Sequence, residues 1–216
     1  MLGEAVGKYG LEPVALEEAQ AAVDEAKTLG IRITAHGGGL SDTIPTTMTK
    51  IAVQAGVQSI EHLLDMEDDV LDLIAQKGVF VVPTLSVLRE LFRLNRINPF
   101  LIEKRHWTLA LQETLFKKAR QRKILMAIGT DALGPMYPGV YFTEMKYFTE
   151  LGASNMEAIV AATRNGAIVL GTQDEIGTVE AGKLADLQVV AGDPLKSLEA
   201  LGKPSLVMIG GKIREF

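Results

Sequence analysis

The sequence predicts an α/β fold in which short parallel strands alternate with helices. The first observation is a series of four apolar runs of strand length, separated by segments with helical periodicity. The second is that three of the four runs end on a side chain that can bind a metal. The runs and the residues that follow them are 31–35 before His36, 57–61 before His62, 79–82 before Pro83 and Thr84, and 124–129 before Thr130 and Asp131.

Three of these strand-end residues form the candidate site. A single histidine at a strand end is most simply a hydrogen-bonded structural residue. Two histidines and an aspartate at the ends of successive β/α units favour a functional site instead. The carboxyl ends of the strands form the active-site face of a parallel α/β barrel, so we predict that His36, His62 and Asp131 meet there.

The composition is that of an ordinary globular chain, with 216 residues, of which 47% are hydrophobic and 23% charged. A net charge of −5 does not indicate the basic surface that is typical of nucleic-acid-binding proteins. We expect no signal peptide in residues 1–8, and no apolar run approaches the roughly 20 residues that span a bilayer. Because cysteine is absent, any metal must take nitrogen and oxygen ligands, and we expect a cytoplasmic protein.

The first half of the chain is organised as helices that end at glycines. Helices are predicted over 13–29, 46–55 and 67–77, followed by Gly30, Gly56 and Gly78. Three glycines, 37–39, follow His36, and we predict that this loop presses against a ligand or metal. The loop lacks the Lys-Ser/Thr ending of a phosphate-binding loop.

Charged residues and the third histidine receive simpler interpretations. An acidic cluster at the start of the third helix is better explained by the helix dipole than by a metal site. The basic residues that end the helix predicted over 103–122 are better explained as a solvated helix face than as a binding patch. His106, inside that helix, is expected to be a surface or packing residue. The acidic cluster is Asp65, Glu67, Asp68 and Asp69, and the basic one is Lys117, Lys118, Arg120, Arg122 and Lys123.

The rest of the chain changes from helices to strands. A helix beginning at Leu85 should break at Asn98-Pro99, and an irregular loop should follow Asp131. Later helices are predicted over 144–151 and 155–170, the second capped by Ser154 and stopped by Gly171. The tail is expected to form a strand over 185–190, a turn over 192–195, and a hairpin over 206–216 with Gly210-Gly211 as its turn.

Four segments in this order resemble the amidohydrolase superfamily, most closely its imidazolonepropionase-like and prolidase-like branch. The first two are Ile33-Thr34-Ala35-His36-Gly37 and Gly56-Val57-Gln58-Ser59-Ile60-Glu61-His62. The others are Gly129-Thr130-Asp131-Ala132 and the pair 161–167 with 177–195. The match runs over nearly the whole chain.

The resemblance implies a metal-dependent hydrolase of amide, peptide-like or cyclic C–N bonds, built on a (β/α)₈ TIM-type barrel with a small β-sandwich domain. By this resemblance, His36 and His62 match metal ligands on the fifth and sixth strands. Asp131 matches the aspartate of the eighth strand, which binds metal and takes a proton from the attacking water. Residues 1–172 would supply strands five to eight, and residues 173–216 the last strands of the small domain. The expected cofactor is a divalent metal, zinc first, with manganese or iron as alternatives.

The family's first-strand His-x-His pair and fourth-strand lysine have no counterpart in the sequence. By this resemblance we expect a truncated gene product, one part of a split enzyme, or a half-barrel that assembles with another chain. The alternative function is a non-catalytic remnant that acts as an assembly or metal-binding module. A half-barrel has open edges at the first and last strands. We therefore expect a homo-oligomer or a separate N-terminal half-barrel chain as partner, a small amide or peptide-like substrate, and no nucleic acid or membrane.

Overall fold

The structure is a computed structural model that describes residues 14–37, 47–64, 66–93, 105–131 and 140–215. Its contacts divide the chain into two compact units, Met1–Met126 and Ala127–Phe216. The boundary after residue 172, between barrel and small β domain, concerns a different division and stays a prediction. Within the described ranges, no helix is both long and apolar enough to cross a bilayer.

The first unit begins with three helix–strand steps, as predicted. Its elements are α1 (Leu16–Thr28), β1 (Thr34–His36), α2 (Thr47–Ala55), β2 (Ser59–Glu61), α3 (Asp68–Lys77) and β3 (Phe80–Val82). The strands form one parallel sheet in the order β1-β2-β3. Each strand is shorter than its predicted run and starts later, and His36 is the last residue of β1 instead of the first residue after it. Gly38, Gly39 and Thr46 lie outside the described residues.

The fourth predicted strand, 124–128, is reduced to one bridge beside β3. Met126 forms an isolated parallel bridge with Val81, and the Val81 N–H donates to the Leu125 carbonyl at 2.9 Å. The Ile128 N–H instead donates to the carbonyl of Ala161. The run therefore takes the expected place next to β3, but it leaves the sheet after a single paired residue.

The helices of the first unit form where apolar spacing and end signals agree. In α3, the side chains of Val70, Leu71 and Ile74 are buried, at the spacing of one helix face. The helix ends at Gly78, whose N–H donates to the Ile74 carbonyl. The same rules place α4 at Leu85–Arg93 and α5 at Arg105–Gln121, while the predicted break at Asn98-Pro99 lies outside the described residues. His106 is exposed on α5, as expected of a surface residue.

Ion pairs connect three helices of this unit and involve the acidic and basic clusters of the sequence. Lys50 of α2 lies 2.6 Å from Asp69 of α3. Asp68 contacts Lys118 at 3.1 Å and Arg122 at 2.9 Å, and Arg122 also lies 2.6 Å from Asp72. We call this set the ion-pair belt. The helix dipole does not account for the belt, because the paired residues lie 19 to 54 positions apart in sequence. Asp65 lies outside the described residues.

Within the belt, the pKa values of Lys50, Asp68, Asp69 and Arg122 are shifted in the stabilising direction. The hydrogen bond from Lys118 lowers the pKa of Asp68, and the hydrogen bond from Lys50 lowers that of Asp69. The hydrogen bond to Asp72 raises the pKa of Arg122. These charges face solvent, so salt screens the pairs and each contributes little by itself.

The second unit begins with helices α6 (Val140–Glu150), α7 (Asn155–Ala162) and α8 (Arg164–Leu170). The predicted cap of α7 is confirmed. The Ser154 hydroxyl accepts from the Glu157 N–H at 3.2 Å, and the Glu157 carboxylate accepts from the Ser154 N–H at 2.6 Å. This reciprocal arrangement is a capping box.

The single helix predicted over 155–170 is wrong, because the chain breaks at Thr163. This residue leaves helical geometry, with φ −120° and ψ −88°, and its hydroxyl donates to the Ile159 carbonyl at 2.7 Å. The Ala161 carbonyl, near the end of α7, accepts from the Ile128 N–H at 3.0 Å. A long-range hydrogen bond therefore forms next to the break.

The tail folds into an antiparallel sheet of β4 (Leu187–Val190), β5 (Pro204–Ile209) and β6 (Lys212–Arg214). The predicted hairpin is confirmed, and Gly210 and Gly211 turn it with φ 57° and 75°, as a type I′ turn requires. The strand register places five apolar side chains on one face of the sheet, and none of them is buried. They are Leu187, Val189, Leu206, Met208 and Ile213.

Candidate functional site

The two strand-end histidines lie side by side. In the register of β1 and β2, His36 pairs with Glu61, so regular strand geometry would turn His62 to the opposite face. His62 instead has φ 71°, which departs from strand geometry. The two imidazole centroids are 4.3 Å apart, with the rings at 60° to each other. The structure therefore brings together two of the three predicted site residues through a backbone turn at the second one.

Gly37, directly after His36, allows the ends of β1 and β2 to approach closely. Its N–H donates to the Glu61 carbonyl at 2.7 Å. A Cβ atom at this position would lie 2.2 Å from Cγ2 of Ile60 and 2.9 Å from Cε of Met66. At Gly37 the loop therefore packs closely against the side chains of Ile60 and Met66. The contact of the loop with a ligand or metal stays a prediction.

Thr84 follows β3 and contacts His62. Its hydroxyl oxygen lies 2.6 Å from His62 Nδ1 and 2.8 Å from the carbonyl oxygen of Pro83. Thr84 is 3% exposed, so this contact is shielded from water. The sequence singled out Thr84 only as the end of a run without a ligand. The usable signal was its place at the third strand end, where a hydroxyl can bond to a neighbouring imidazole.

Backbone strain marks the same strand ends. Four residues other than glycine have positive φ in the described parts of the chain, namely His62, Thr84, Lys123 and Asp131. Lys123 follows α5, where left-handed residues commonly end helices. The other three come within two residues of the ends of strands or strand-like runs, and such conformations cost about 1–3 kcal/mol each. Strained residues of this kind cluster at functional sites.

Asp131 belongs to the second unit, and it is exposed with φ 49°. Among the residues that the structure describes, no group of three or more His, Cys, Asp or Glu side chains forms a metal cluster. The three-ligand assignment of His36, His62 and Asp131 therefore stays a prediction.

The donor atoms present fit a divalent metal. Imidazole nitrogens suit zinc, iron and other first-row metals, and a carboxylate broadens the range to manganese. Two imidazoles 4.3 Å apart at the ends of adjacent strands are spaced for ligands of one ion. Thr84 at His62 Nδ1 is the kind of outer hydrogen bond that orients a metal-binding histidine.

Comparisons with known proteins identify the family. A model described as the amidohydrolase family matches residues 4–214. Ochratoxinase from Aspergillus niger is 28% identical over 205 residues, which cover 91% of this chain and 41% of that protein. Imidazolonepropionase from Caldanaerobacter subterraneus subsp. tengcongensis is 29% identical over 180 residues, which cover 81% of this chain and 37% of that protein. A Xaa-Pro dipeptidase, solved with methionine in its active site, has a TM-score of 0.80 at 32% identity, over 94% of this chain and 49% of that one.

These matches confirm the resemblance to imidazolonepropionase-like and prolidase-like proteins, and they confirm an α/β amidohydrolase fold. The chain spans less than half the length of the two curated relatives and about half of the solved one. The family match covers nearly all of the sequence, from residue 4 to residue 214. The chain therefore belongs to the amidohydrolase family.

Proposed function

We propose that the chain is a metal-dependent hydrolase of amide, peptide-like or cyclic C–N bonds, or the C-terminal half of such an enzyme. The observation that carries the proposal is the contact of His36 with His62 at the ends of adjacent parallel strands. The relatives named ochratoxinase, imidazolonepropionase and Xaa-Pro dipeptidase support the reaction class. A cytoplasmic setting is part of the same proposal.

We propose that the fold is the second half of a barrel. We assign β1, β2, β3 and the run 124–128 to strands five to eight of a (β/α)₈ barrel. The antiparallel sheet β4-β5-β6 is assigned to the small β-sandwich domain. The TM-score of 0.80 over about half of a solved relative supports this assignment.

In the proposed reaction, His36, His62 and Asp131 hold one divalent metal, with zinc expected and manganese or iron as alternatives. When bound, such a metal lowers the pKa of a water ligand and polarises the scissile carbonyl. The Asp131 carboxylate accepts the proton of the attacking water and returns it to the leaving nitrogen. Its position two residues after the fourth apolar run supports this role.

Metal analysis of the purified chain tests the histidine assignment. We expect about one zinc or manganese ion per chain, measured by elemental analysis and chelator competition. His36→Ala and His62→Ala should each weaken binding at least tenfold, because each removes a ligand. His106→Ala is the matched control, since His106 is exposed on α5 and should leave binding unchanged.

Hydrolysis of amide, Xaa-Pro dipeptide and lactam panels tests the reaction. Asp131→Asn should lower turnover by about 10²–10⁴-fold, the usual contribution of a general acid–base residue, while circular dichroism stays unchanged. A metal-loaded chain that hydrolyses nothing would favour the alternative, a metal-binding or assembly module.

We also propose that the chain assembles with another chain. The edge strand β1 pairs only with β2 in the described residues, and unpaired strand edges invite association. We propose either a homo-oligomer or a separate N-terminal half-barrel chain as partner, and the second would also supply further ligands. Light scattering at micromolar concentration should show an oligomer. A monodisperse, cooperatively unfolding monomer would contradict this.

A further inference from the structure

We infer that Thr84 is a positioning residue that holds His62 as its Nδ1–H tautomer and so directs Nε2 to the metal. The role of His62 as a metal ligand rests on the proposed function, whereas the tautomer of His62 does not. A series of hydrogen bonds runs from α4 and α5 to the imidazole of His62. The direction of each bond is set by groups that can only donate or only accept.

The series of hydrogen bonds starts at Arg89, on α4. A guanidinium carries donors only, and Arg89 Nη1 lies 2.9 Å from one end of the Gln112 amide. That end must therefore be the oxygen. Arg89 is itself held by the Leu85 carbonyl at 2.9 Å and by the Glu113 carboxylate at 3.3 Å.

Gln112 passes this orientation on to β3. Its side chain is fully buried, so reversing the amide would place donor against donor at Arg89 and acceptor against acceptor at Pro83, with the loss of both hydrogen bonds. With the oxygen on Arg89, the NH₂ group faces the carbonyl of Pro83 at 3.3 Å. The long excursion between residues 85 and 123 thus contacts the strand end next to the candidate site.

The Pro83 carbonyl then receives a second donor, the Thr84 hydroxyl at 2.8 Å. A carbonyl oxygen has two lone pairs, so it accepts from both Gln112 and Thr84. A hydroxyl has a single proton. With that proton on the Pro83 carbonyl, the Thr84 oxygen accepts from His62 Nδ1 at 2.6 Å.

His62 is therefore protonated at Nδ1, and the neutral ring carries its lone pair on Nε2. A metal ligand must be deprotonated, so Nε2 is the atom that binds. The φ of 50° at Thr84 fits this role, since strained backbone persists where surrounding contacts determine it. Thr84, Gln112 and Arg89 therefore act through His62 as positioning residues.

Nitrogen-15 NMR on the metal-free chain tests the tautomer directly. In the wild type, Nδ1 of His62 should show the shift of a protonated ring nitrogen and Nε2 that of an unprotonated one. Thr84→Val removes the hydroxyl, keeps the β-branched shape, and should give a mixture of tautomers. Thr84→Ser, the matched control, keeps the hydroxyl and should keep the wild-type spectrum.

Zinc affinity of the same proteins tests the consequence. Thr84→Val should weaken zinc binding by about 10–100-fold, the usual effect of losing an outer partner of a ligating histidine. Thr84→Ser should bind like the wild type, and Gln112→Leu should fall between the two. Because the wild-type spectrum is informative by itself, the test survives a variant that does not fold.

The outcomes separate the two proposals. His62 protonated at Nε2 in the wild type would overturn the inference, as would wild-type zinc affinity in a Thr84→Val chain with scrambled tautomers. An Nδ1–H tautomer that depends on the Thr84 hydroxyl, in a chain that binds no zinc, would uphold the positioning role and overturn the proposed metal site.

Discussion

The two sheets of the molecule differ in strand length and in the burial of their side chains. In the parallel sheet β1-β2-β3, each strand has three residues, and the side chains of Ile60 and Val81 are fully buried. In the antiparallel sheet β4-β5-β6, the strands reach six residues, yet Val189 and Ile213 are 50% and 61% exposed. Few backbone pairs suffice where helices cover the sheet, whereas the hairpin sheet depends on local pairing. The strained, chemically capable residues His62 and Thr84 follow strands of the buried sheet.

The same substitution in both sheets should break this comparison most clearly. Ile60→Ala empties a fully buried site and should destabilise the chain by about 2–5 kcal/mol. Ile213→Ala removes a largely exposed side chain and should cost less than about 0.5 kcal/mol. Urea unfolding followed by circular dichroism measures both. Equal losses would mean that Ile213 is covered in solution, which would reveal an interface on the apolar face of the tail sheet.

Two glycines sharpen the comparison at the strand ends. Gly37→Ala forces a Cβ against Ile60 and Met66, and overpacking of this kind costs about 1–3 kcal/mol. Gly211→Ala meets no atom within 4 Å but must keep φ 75°, at a cost of about 1 kcal/mol. Chelator competition distinguishes their roles, because only Gly37→Ala should also weaken zinc binding by displacing His36. Zinc affinity lost in both variants would remove the special role of Gly37.

Acid should produce the smallest effect, and it should act mainly on the first unit. The pKa values of Asp68 and Asp69 are lowered from their ordinary value of 3.8, so their ion pairs stabilise the folded chain fully above pH 3.8. That stabilisation disappears as the pH falls through the lower, folded pKa values. Asp68→Asn with Asp69→Asn should flatten the fall in the unfolding midpoint below pH 3.8. Glu199→Gln, which breaks the Lys146–Glu199 pair of the second unit, is the control and should leave that part of the curve unchanged.

Local signals predicted much of the fold. Gly78 marked the end of α3, Ser154 the start of α7, and Gly210-Gly211 the turn of the tail hairpin. The break at Thr163 was not predicted, because neither glycine nor proline stands there. The Ile128 N–H and the Ala161 carbonyl that it bonds are far apart in sequence, and periodicity does not reveal such a contact.

The candidate site was predictable in part, for a related reason. Strand ends placed His36 next to His62, since parallel neighbours end at one edge of a sheet. The turn at His62 that brings the rings to 4.3 Å and the bond from Thr84 depend on positive φ values, which tertiary contacts impose. Periodicity carries no information about such backbone angles. The placement of Asp131 beside the histidines stays a prediction.

The ion-pair belt has a consequence for how such chains change in length during evolution. Lys118 and Arg122 fix the end of α5 on α3 by charge, and Met126 then pairs with Val81 in β3. The bridge between Met126 and Val81 therefore forms C-terminal to the segment between Arg93 and Arg105. The register of this bridge does not depend on the length of that segment. Doubling the length of a flexible chain segment costs only about 0.6 kcal/mol. We therefore expect insertions and deletions between Arg93 and Arg105 to accumulate among relatives without moving the bridge between Met126 and Val81.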